Sequence, residues 1–394
     1  MASNMEELYS SFPDDVPTAP LVTISLQKLV AEDGKEKERL FEASKSLGFF
    51  YLDMQECDHG KTLLSGSEEM FDLMERFYEL PVEEKLKYDF AAEGKYFGYI
   101  GLGAEVVDGK GTREKNEKYN ISKDDILSQS DPLPAPSIIT NNRPALSNYI
   151  HANNRVLTTL FSSLAESLNL PASTFTSLHR LSSPSGCHIR FIRAPPQPID
   201  QRTLTLGEHT DFGSLTILFN RIGGLQVKLP NTTDWVYVRP MPGCAIVNLG
   251  DAMVKFTAGI LRSNLHRVVS PPGSQADMVR YSLVFFQRPE YDVKMRRLEG
   301  GLVDGVPKDD GEVDGESTRE WLKRRHQGRK GFTMLMNLIS RVSPRTFAST
   351  FLAVIESLYQ ENKKQWITSV IVKNLIKLFL RYLHLSRYCS WPHH

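Results

Sequence analysis

Between residues 187 and 288 the sequence breaks into short apolar runs punctuated by Gly, Pro, Asp and Asn. The runs fall at 187–193, 214–219, 225–229, 235–239, 245–249, 266–270 and 281–286. None is long enough for a core helix, which needs roughly 10 residues or more. Short strands at such spacing bury their apolar faces only by packing as a sandwich or closing as a barrel. This stretch demands a compact β core, and the rest of the chain must cover it.

The covering material reads as helical. Residues 36–47 form a predicted helix stopped by Gly48, and Phe49-Phe50-Tyr51-Leu52 after it reads as a strand. Over 62–80, Leu63, Met70, Leu73, Met74 and Phe77 recur at helical spacing until Pro81, which opens a further short helix in its first turn. Over 145–170 a longer stripe, from Leu146 and Tyr149 to Leu164 and Leu168, predicts a helix packed on a sheet. Residues 1–20 read as a loose lead-in. The glycine-rich stretch 94–112 carries neither GxGxxG nor GxxxxGK[ST] and lacks a strand–helix context. It reads as a mobile loop at a pocket mouth rather than a phosphate cradle. Residues 300–315 read as a flexible surface loop and 316–329 as a charged, solvated helix. The expected class is mainly β with flanking helices (α+β). Its expected parts are an N-terminal helical and mixed region, 1–180, a β core, 181–330, and a helical tail of unknown role, 331–394.

Composition excludes some functions. Lys plus Arg balance Asp plus Glu at 47 each, which argues against a nucleic-acid partner, since that needs a basic surface. Cys57, Cys187, Cys244 and Cys389 form no CxxC pair, so reduced thiols in a cytoplasmic protein are expected. The polar, acidic start lacks the pattern of a signal peptide, which leaves the sequons at Asn120 and Asn231 idle. In the tail, 366–388 is apolar but carries Lys373, Lys377, Arg381 and Arg387, which argues against a membrane span. A basic amphipathic helix on a membrane or partner and an accessory cap both remain open for it. A monomer acting on a small-molecule substrate is the expectation, with membrane contact the lesser reading.

Three residues stand out as metal ligands. If 208–212 is extended, His209 and Asp211 project from one face, and His266 on another strand completes a set. Two imidazoles and one carboxylate suit Fe(II) and leave positions open for substrate and oxygen. Arg280 and Ser282 share a strand face by the same alternation. A guanidinium fork beside a hydroxyl, with Leu283 and Phe285 as neighbouring walls, suits a carboxylate. Each residue also has a structural reading: a satisfied core histidine, a turn aspartate, a surface strand position, an arginine bridging an acid.

The wider pattern is specific. Gly207-Glu208-His209-Thr210-Asp211, Pro242-Gly243-Cys244-Ala245-Ile246-Val247-Asn248-Leu249-Gly250-Asp251, Ser263-Asn264-Leu265-His266-Arg267-Val268 and Arg280-Tyr281-Ser282 together resemble the 2-oxoglutarate/Fe(II)-dependent dioxygenases of isopenicillin-N-synthase type. The entry run Leu47-Gly48-Phe49-Phe50 and Glu320-Trp321 fit as well, and the likeness spans about residues 17–329. The resemblance implies a double-stranded β-helix, or jelly roll. It implies Fe(2+) at His209, Asp211 and His266, and 2-oxoglutarate held by Arg280 and Ser282 with O2 as second cosubstrate. No catalytic residue beyond the metal centre is expected. The implied reaction is hydroxylation or desaturation of a small organic substrate, as in secondary metabolite biosynthesis. Two positions depart from the pattern: Ala194 stands where many plant members have a tyrosine, and Ile192 where they have an asparagine. Tyr96, Phe97, Tyr99, His188, Arg190 and Phe286 are the pocket candidates, with His188 read as a strand residue rather than a ligand. The aromatic ones suit an apolar small molecule. An Fe(II) oxidase of the same fold without 2-oxoglutarate, and a catalytically silent binding protein, are the competing readings.

Overall fold

The computed structural model describes residues 12–105, 112–199, 202, 204–308 and 315–326. The chain divides into two units, Met1–Asp108 with Thr112–Gly328, and Gly109–Gly111 with Arg329–His394. The second lies outside the described residues, as do the predicted tail helices.

The strands, in chain order, are β1 (Thr23–Ser25), β2 (Phe49–Asp53), β3 (Gly98–Ile100), β4 (Glu117–Ser122), β5 (His188–Ala194), β6 (Leu204–His209), β7 (Leu215–Asn220), β8 (Leu225–Lys228), β9 (Trp235–Tyr237), β10 (Cys244–Leu249), β11 (His266–Val269) and β12 (Arg280–Gln287). They form an eight-stranded sheet, β1-β2-β10-β7-β12-β5-β4-β3, and a four-stranded sheet, β6-β11-β8-β9. From β5 to β8 the chain alternates between the sheets, and it alternates again from β9 to β12. That alternation is the winding of a jelly roll, the expected class. Strands from both sides of residue 180 share the large sheet, so the N-terminal region and the β core make one unit.

Three helices lie on the outer side of the large sheet, α1 (Gly34–Ser46) and α2 (Asp58–Tyr78) reaching its strands and α3 (Arg143–Ser167) packed on those two. The Asp33 carboxylate accepts from the Glu36 N–H at 3.0 Å and caps α1. Gly48 ends it in a left-handed conformation (φ 72°) and passes the chain to β2. A Cβ there would meet the Arg262 carbonyl oxygen at 2.2 Å, so only glycine fits. The expectation that the long helix packs on a sheet needs correction. α3 packs mainly on α2, α1 and the short helix Ser173–Thr176, and α2 in turn reaches β12. Pro81 caps the short helix Val82–Leu86 rather than standing in its first turn.

β2 is buried on both faces. Phe50 and Leu52 join the core under the helices, while Phe49 and Tyr51 join Leu225, Val227, Val236 and Ile246 between the sheets. A continuous apolar run is what such a doubly buried strand requires. The same division runs along β12. Leu283 and Phe285, in register with Phe191 and Ile189 of β5, enter the helix-side core. Arg280, Ser282, Val284 and Phe286 take the inner face, opposite Ala194, Ile192, Arg190 and His188. The anticipated walls of the Arg280 site, Leu283 and Phe285, therefore point away from it. A strand apolar on both faces gives no hydrophobic cue to which side is the pocket.

A 3-10 turn, Ala91–Glu93, precedes the glycine-rich stretch, which contains β3 before the chain leaves the described residues at 106–111. The 300–315 stretch likewise opens with a 3-10 turn, Gly301–Gly305, and its residues 309–314 lie outside the description. Residues 318–326 are helical, and Trp321 and Leu322 bury one side of that helix. Among the described residues no helix is long and apolar enough to cross a membrane.

Candidate active site

His209 is the last residue of β6 and His266 the first of β11, and the two stand opposite each other in the antiparallel register. Their ring centres lie 4.2 Å apart. Asp211 is not in a strand. It sits in the loop from β6 to β7, so the extended 208–212 segment is corrected to a strand end followed by a turn. That turn is shaped by the start of the short helix Asp251–Phe256. The Asp251 N–H donates to the Asp211 carbonyl at 2.8 Å and the Ala252 N–H to the Gly213 carbonyl at 3.1 Å. First-turn N–H groups have no partner within their own helix, so here they fix the loop instead. Gly250 keeps the approach open: a Cβ on it would lie 2.2 Å from the Gly213 oxygen.

The second contacts decide which atoms face inward. Nδ1 of His209 lies 2.8 Å from the Gly207 carbonyl and Nδ1 of His266 lies 3.2 Å from the Asn264 carbonyl. A carbonyl only accepts, so in the neutral rings Nδ1 carries the proton and Nε2 the lone pair. Asp211 Oδ2 accepts from Thr216 Oγ1 at 2.7 Å and from Asn248 Nδ2 at 2.8 Å. Oδ1 is turned to the histidines, 3.8 Å from His266 Nε2 and 4.0 Å from His209 Nε2. Burial pushes the Asp211 carboxyl up, yet His266, His209 and the Asn248 and Thr216 donors outweigh it and hold the pKa at about 2. One donor atom from each residue lies within 4.8 Å of the other two. An anionic oxygen and two imidazole nitrogens converging in this way fit a divalent iron ion.

Arg280 and Ser282 also come together. Arg280 is buried, and its Nη1 donates to Ser282 Oγ at 2.5 Å and its Nε to the Gly223 carbonyl at 2.7 Å. The Asn220 amide, turned with its oxygen towards the guanidinium, accepts from Nη2 at 3.1 Å. All these acceptors are neutral, and burial lowers the guanidinium pKa to about 10. A buried cation without a carboxylate is costly unless a ligand brings one. The 2-oxoglutarate carboxylate fits that need. Ala194 and Ile192, the two departures from the family pattern, pair with Arg280 and Ser282, so apolar side chains flank the anchor.

Most pocket candidates gather on the inner face. His188 stacks on Phe286 at 4.7 Å, with the Tyr96 ring 5.2 Å away and Phe97 at 6.1 Å. Its Nδ1 lies 3.0 Å from the Gly186 carbonyl, and it takes no part in the three-residue cluster. Tyr99 is the exception. It points to the helix side, where its hydroxyl donates to Glu117 Oε2 at 2.5 Å. Thr216 and Asn248 had no assigned role in the sequence reading, although Asn248 interrupts the apolar run of β10 and Thr216 that of β7, whose other polar residue, Asn220, ends the strand. That interruption is the signal that finds them.

With this geometry in hand, comparison with known proteins is direct. Residues 185–289 match the 2OG-Fe(II) oxygenase superfamily, and residues 20–144 match the N-terminal region of non-haem dioxygenases, a family described from morphine synthesis. A 2-oxoglutarate-dependent dioxygenase of Aspergillus fumigatus is 32% identical over 329 residues, covering 77% of this chain and 84% of that protein. Another, from Glarea lozoyensis, is 28% identical over 324 residues, 80% of this chain and 92% of that protein. Among solved structures, a full-length Neurospora crassa protein crystallised in complex with alpha-KG superposes with a TM-score of 0.67 at 22% identity, over 80% of this chain and 98% of that one. A 2OG-Fe(II) oxygenase family protein of Caulobacter crescentus gives 0.67 at 23% identity, over 79% and 99%. These two likenesses speak to the fold, and the sequence matches speak to the chemistry. The chain belongs to the 2OG-Fe(II) oxygenase superfamily and is a 2-oxoglutarate-dependent non-haem iron dioxygenase acting on a small molecule.

Proposed function

We propose that His209, Asp211 and His266 are the iron ligands, that Arg280 and Ser282 grip the distal carboxylate of 2-oxoglutarate, and that the enzyme oxidises a small organic molecule in specialised metabolism. The observation that carries this reading is the orientation of Asp211. Two donors occupy one of its carboxylate oxygens and leave the other towards both imidazoles. Iron held there would, with 2-oxoglutarate and O2, supply the oxidant for a substrate C–H bond, one oxygen atom of O2 going to succinate as CO2 is lost and the other to the substrate or to water. The chain's own work is placement. Thr216 and Asn248 orient the carboxylate, the backbone carbonyls fix the imidazole tautomers, and Arg280 aims the cosubstrate from one end of β12.

In this reading residues 181–330 carry the chemistry, residues 1–180 buttress the large sheet, and 331–394 serve another purpose. The unpaired state of Cys57, Cys187 and Cys244 supports a cytoplasmic setting, and we infer a monomer. The test is the stoichiometry of aerobic turnover with Fe(II) and 2-oxoglutarate. Succinate is expected in step with oxygen uptake in the wild type, and neither in Asp211→Ala. Oxygen uptake without succinate contradicts the reading and favours an oxidase of the same fold.

A further inference from the structure

The inner row of β12 does not end at Phe286. Arg288, the next residue in the alternation, sends its guanidinium to the same corner, where its Nη2 lies 3.3 Å from the Tyr96 hydroxyl. Arg190 of β5 reaches that hydroxyl through its own Nη2. Its Nε donates to Asn120 Oδ1 at 2.7 Å, and its guanidinium lies 5.0 Å from the centre of the Phe286 ring. Two cations thus converge on one phenol. Neither has a carboxylate partner among the described residues, and the nearby acids are engaged elsewhere: Glu114 by Lys118, Asp251 by Arg325, Glu290 by Arg180. Arg288 is only 5% exposed, and its Nε meets no acceptor.

The corner lies next to the candidate iron site. A Cβ on Gly213, two residues after Asp211, would come within 3.3 Å of the Arg288 side chain. Phe286 pairs with Thr216, whose hydroxyl holds Asp211. The same strand row therefore starts at Arg280 and ends at Arg288, roughly 25 Å further along the chain. An uncompensated buried guanidinium stands at each end. At the Arg280 end the cosubstrate carboxylate supplies the counter-charge. At the other end the ligand left to supply one is the substrate.

We propose that the substrate is a small organic carboxylate whose anionic group binds between Arg190 and Arg288 while its body lies against Phe286. The proposal rests on the reading of His209, Asp211 and His266 as the iron site. It adds an anionic group to the apolar small molecule that the aromatic loop residues suit. A planar carboxylate suits two guanidinium forks, and the adjoining rings suit an unsaturated or aromatic body.

The test uses the full-length protein loaded anaerobically with Fe(II) and saturating 2-oxoglutarate, so that the Arg280 end is filled. Phenylacetate and its uncharged isostere phenylacetamide are titrated separately by calorimetry, with the metal-to-ligand charge-transfer band followed in parallel. The wild type is expected to bind phenylacetate at least about tenfold more tightly, as one charge-assisted hydrogen bond is worth that much. Arg288→Gln and Arg190→Gln are each expected to bring the ratio near one while the band persists. Should Arg288→Gln fail to fold, the half-buried Arg190→Gln carries the test. Equal binding of both probes by the wild type, no binding of phenylacetate, or an undiminished preference in Arg190→Gln with its band intact overturns the proposal. A wild type without the band overturns both the proposal and the iron reading beneath it.

Discussion

Arg280 is expected to serve the ligand at the expense of the fold. The side chain is 3% exposed and its partners are all neutral. Burial brings its pKa from the ordinary guanidinium range down to about 10, which holds roughly 3 kcal/mol against the charged form. The unfolded chain binds this proton more tightly than the folded one. The cost is therefore complete below about pH 10 and fades as the pH rises from there towards the unfolded value. Arg280→Met removes that cost and strips three acceptors, the Gly223 carbonyl, Ser282 Oγ and the Asn220 oxygen, of a donor, a loss of about 1 kcal/mol each. The ligand-free variant is then expected to be about as stable as the wild type, although a buried arginine has been removed. Its affinity for 2-oxoglutarate is expected to drop about 100-fold or more, as two charge-assisted bonds of roughly 1.5–3 kcal/mol are lost. The assay is unfolding in urea of anaerobic, iron-loaded protein with and without 2-oxoglutarate. Wild type gains about 2.7 kcal/mol at a ligand concentration of roughly 100 times Kd, and the variant gains almost nothing. A variant destabilised by several kcal/mol without ligand, or one that 2-oxoglutarate still protects, refutes the reasoning.

Three further expectations follow from named contacts. Asn248→Leu and Thr216→Val each leave Asp211 Oδ2 with one donor, and iron affinity is expected to weaken about 10–100-fold with an unchanged circular-dichroism spectrum. An unchanged affinity in both variants means that these residues do not orient Asp211. Gly250→Ala drives a Cβ into the Gly213 carbonyl and displaces the Asp211 loop. Iron binding measured by anaerobic titration is expected to fall at least about tenfold, and wild-type affinity contradicts the role given to that close approach. Truncation after Lys330 is expected to leave a folded, iron-binding chain, and an insoluble product shows that the tail is integral to the core.

The β core was legible because doubly buried strands such as β2, β10 and β12 must be short apolar runs. β4 was not. Its sequence, Glu-Lys-Tyr-Asn-Ile-Ser, looks like a surface segment, yet all of it is buried. Its charges are met by partners that include distant ones: Lys118 by Glu114, four residues away, and by Glu105, and Glu117 by Lys85 and Arg193. The compensation of Glu117 lies in tertiary pairing and leaves no local pattern. β6 was missed beyond its last residues because Gly207 and Glu208 interrupt it. At the site, period-two alternation put Arg280 and Ser282 on one face, and β12 brings their side chains into contact. It paired His209 with Asp211 for the wrong reason. Backbone donors from residues 251 and 252 present Asp211, and a strand does not. Tyr99 was assigned to the pocket because a loop of unknown pleat gives no face, and β3 turns it to Glu117.

The most direct test of the central claim is anaerobic titration of the full-length protein with Fe(II) and then 2-oxoglutarate, following the metal-to-ligand charge-transfer band. The account predicts a saturable band at one iron per chain in the wild type. It predicts no band in Asp211→Ala, and in Arg280→Met iron binding with a band only at far higher 2-oxoglutarate. A wild type that binds iron without developing the band contradicts the account, as does an Asp211→Ala chain that retains it.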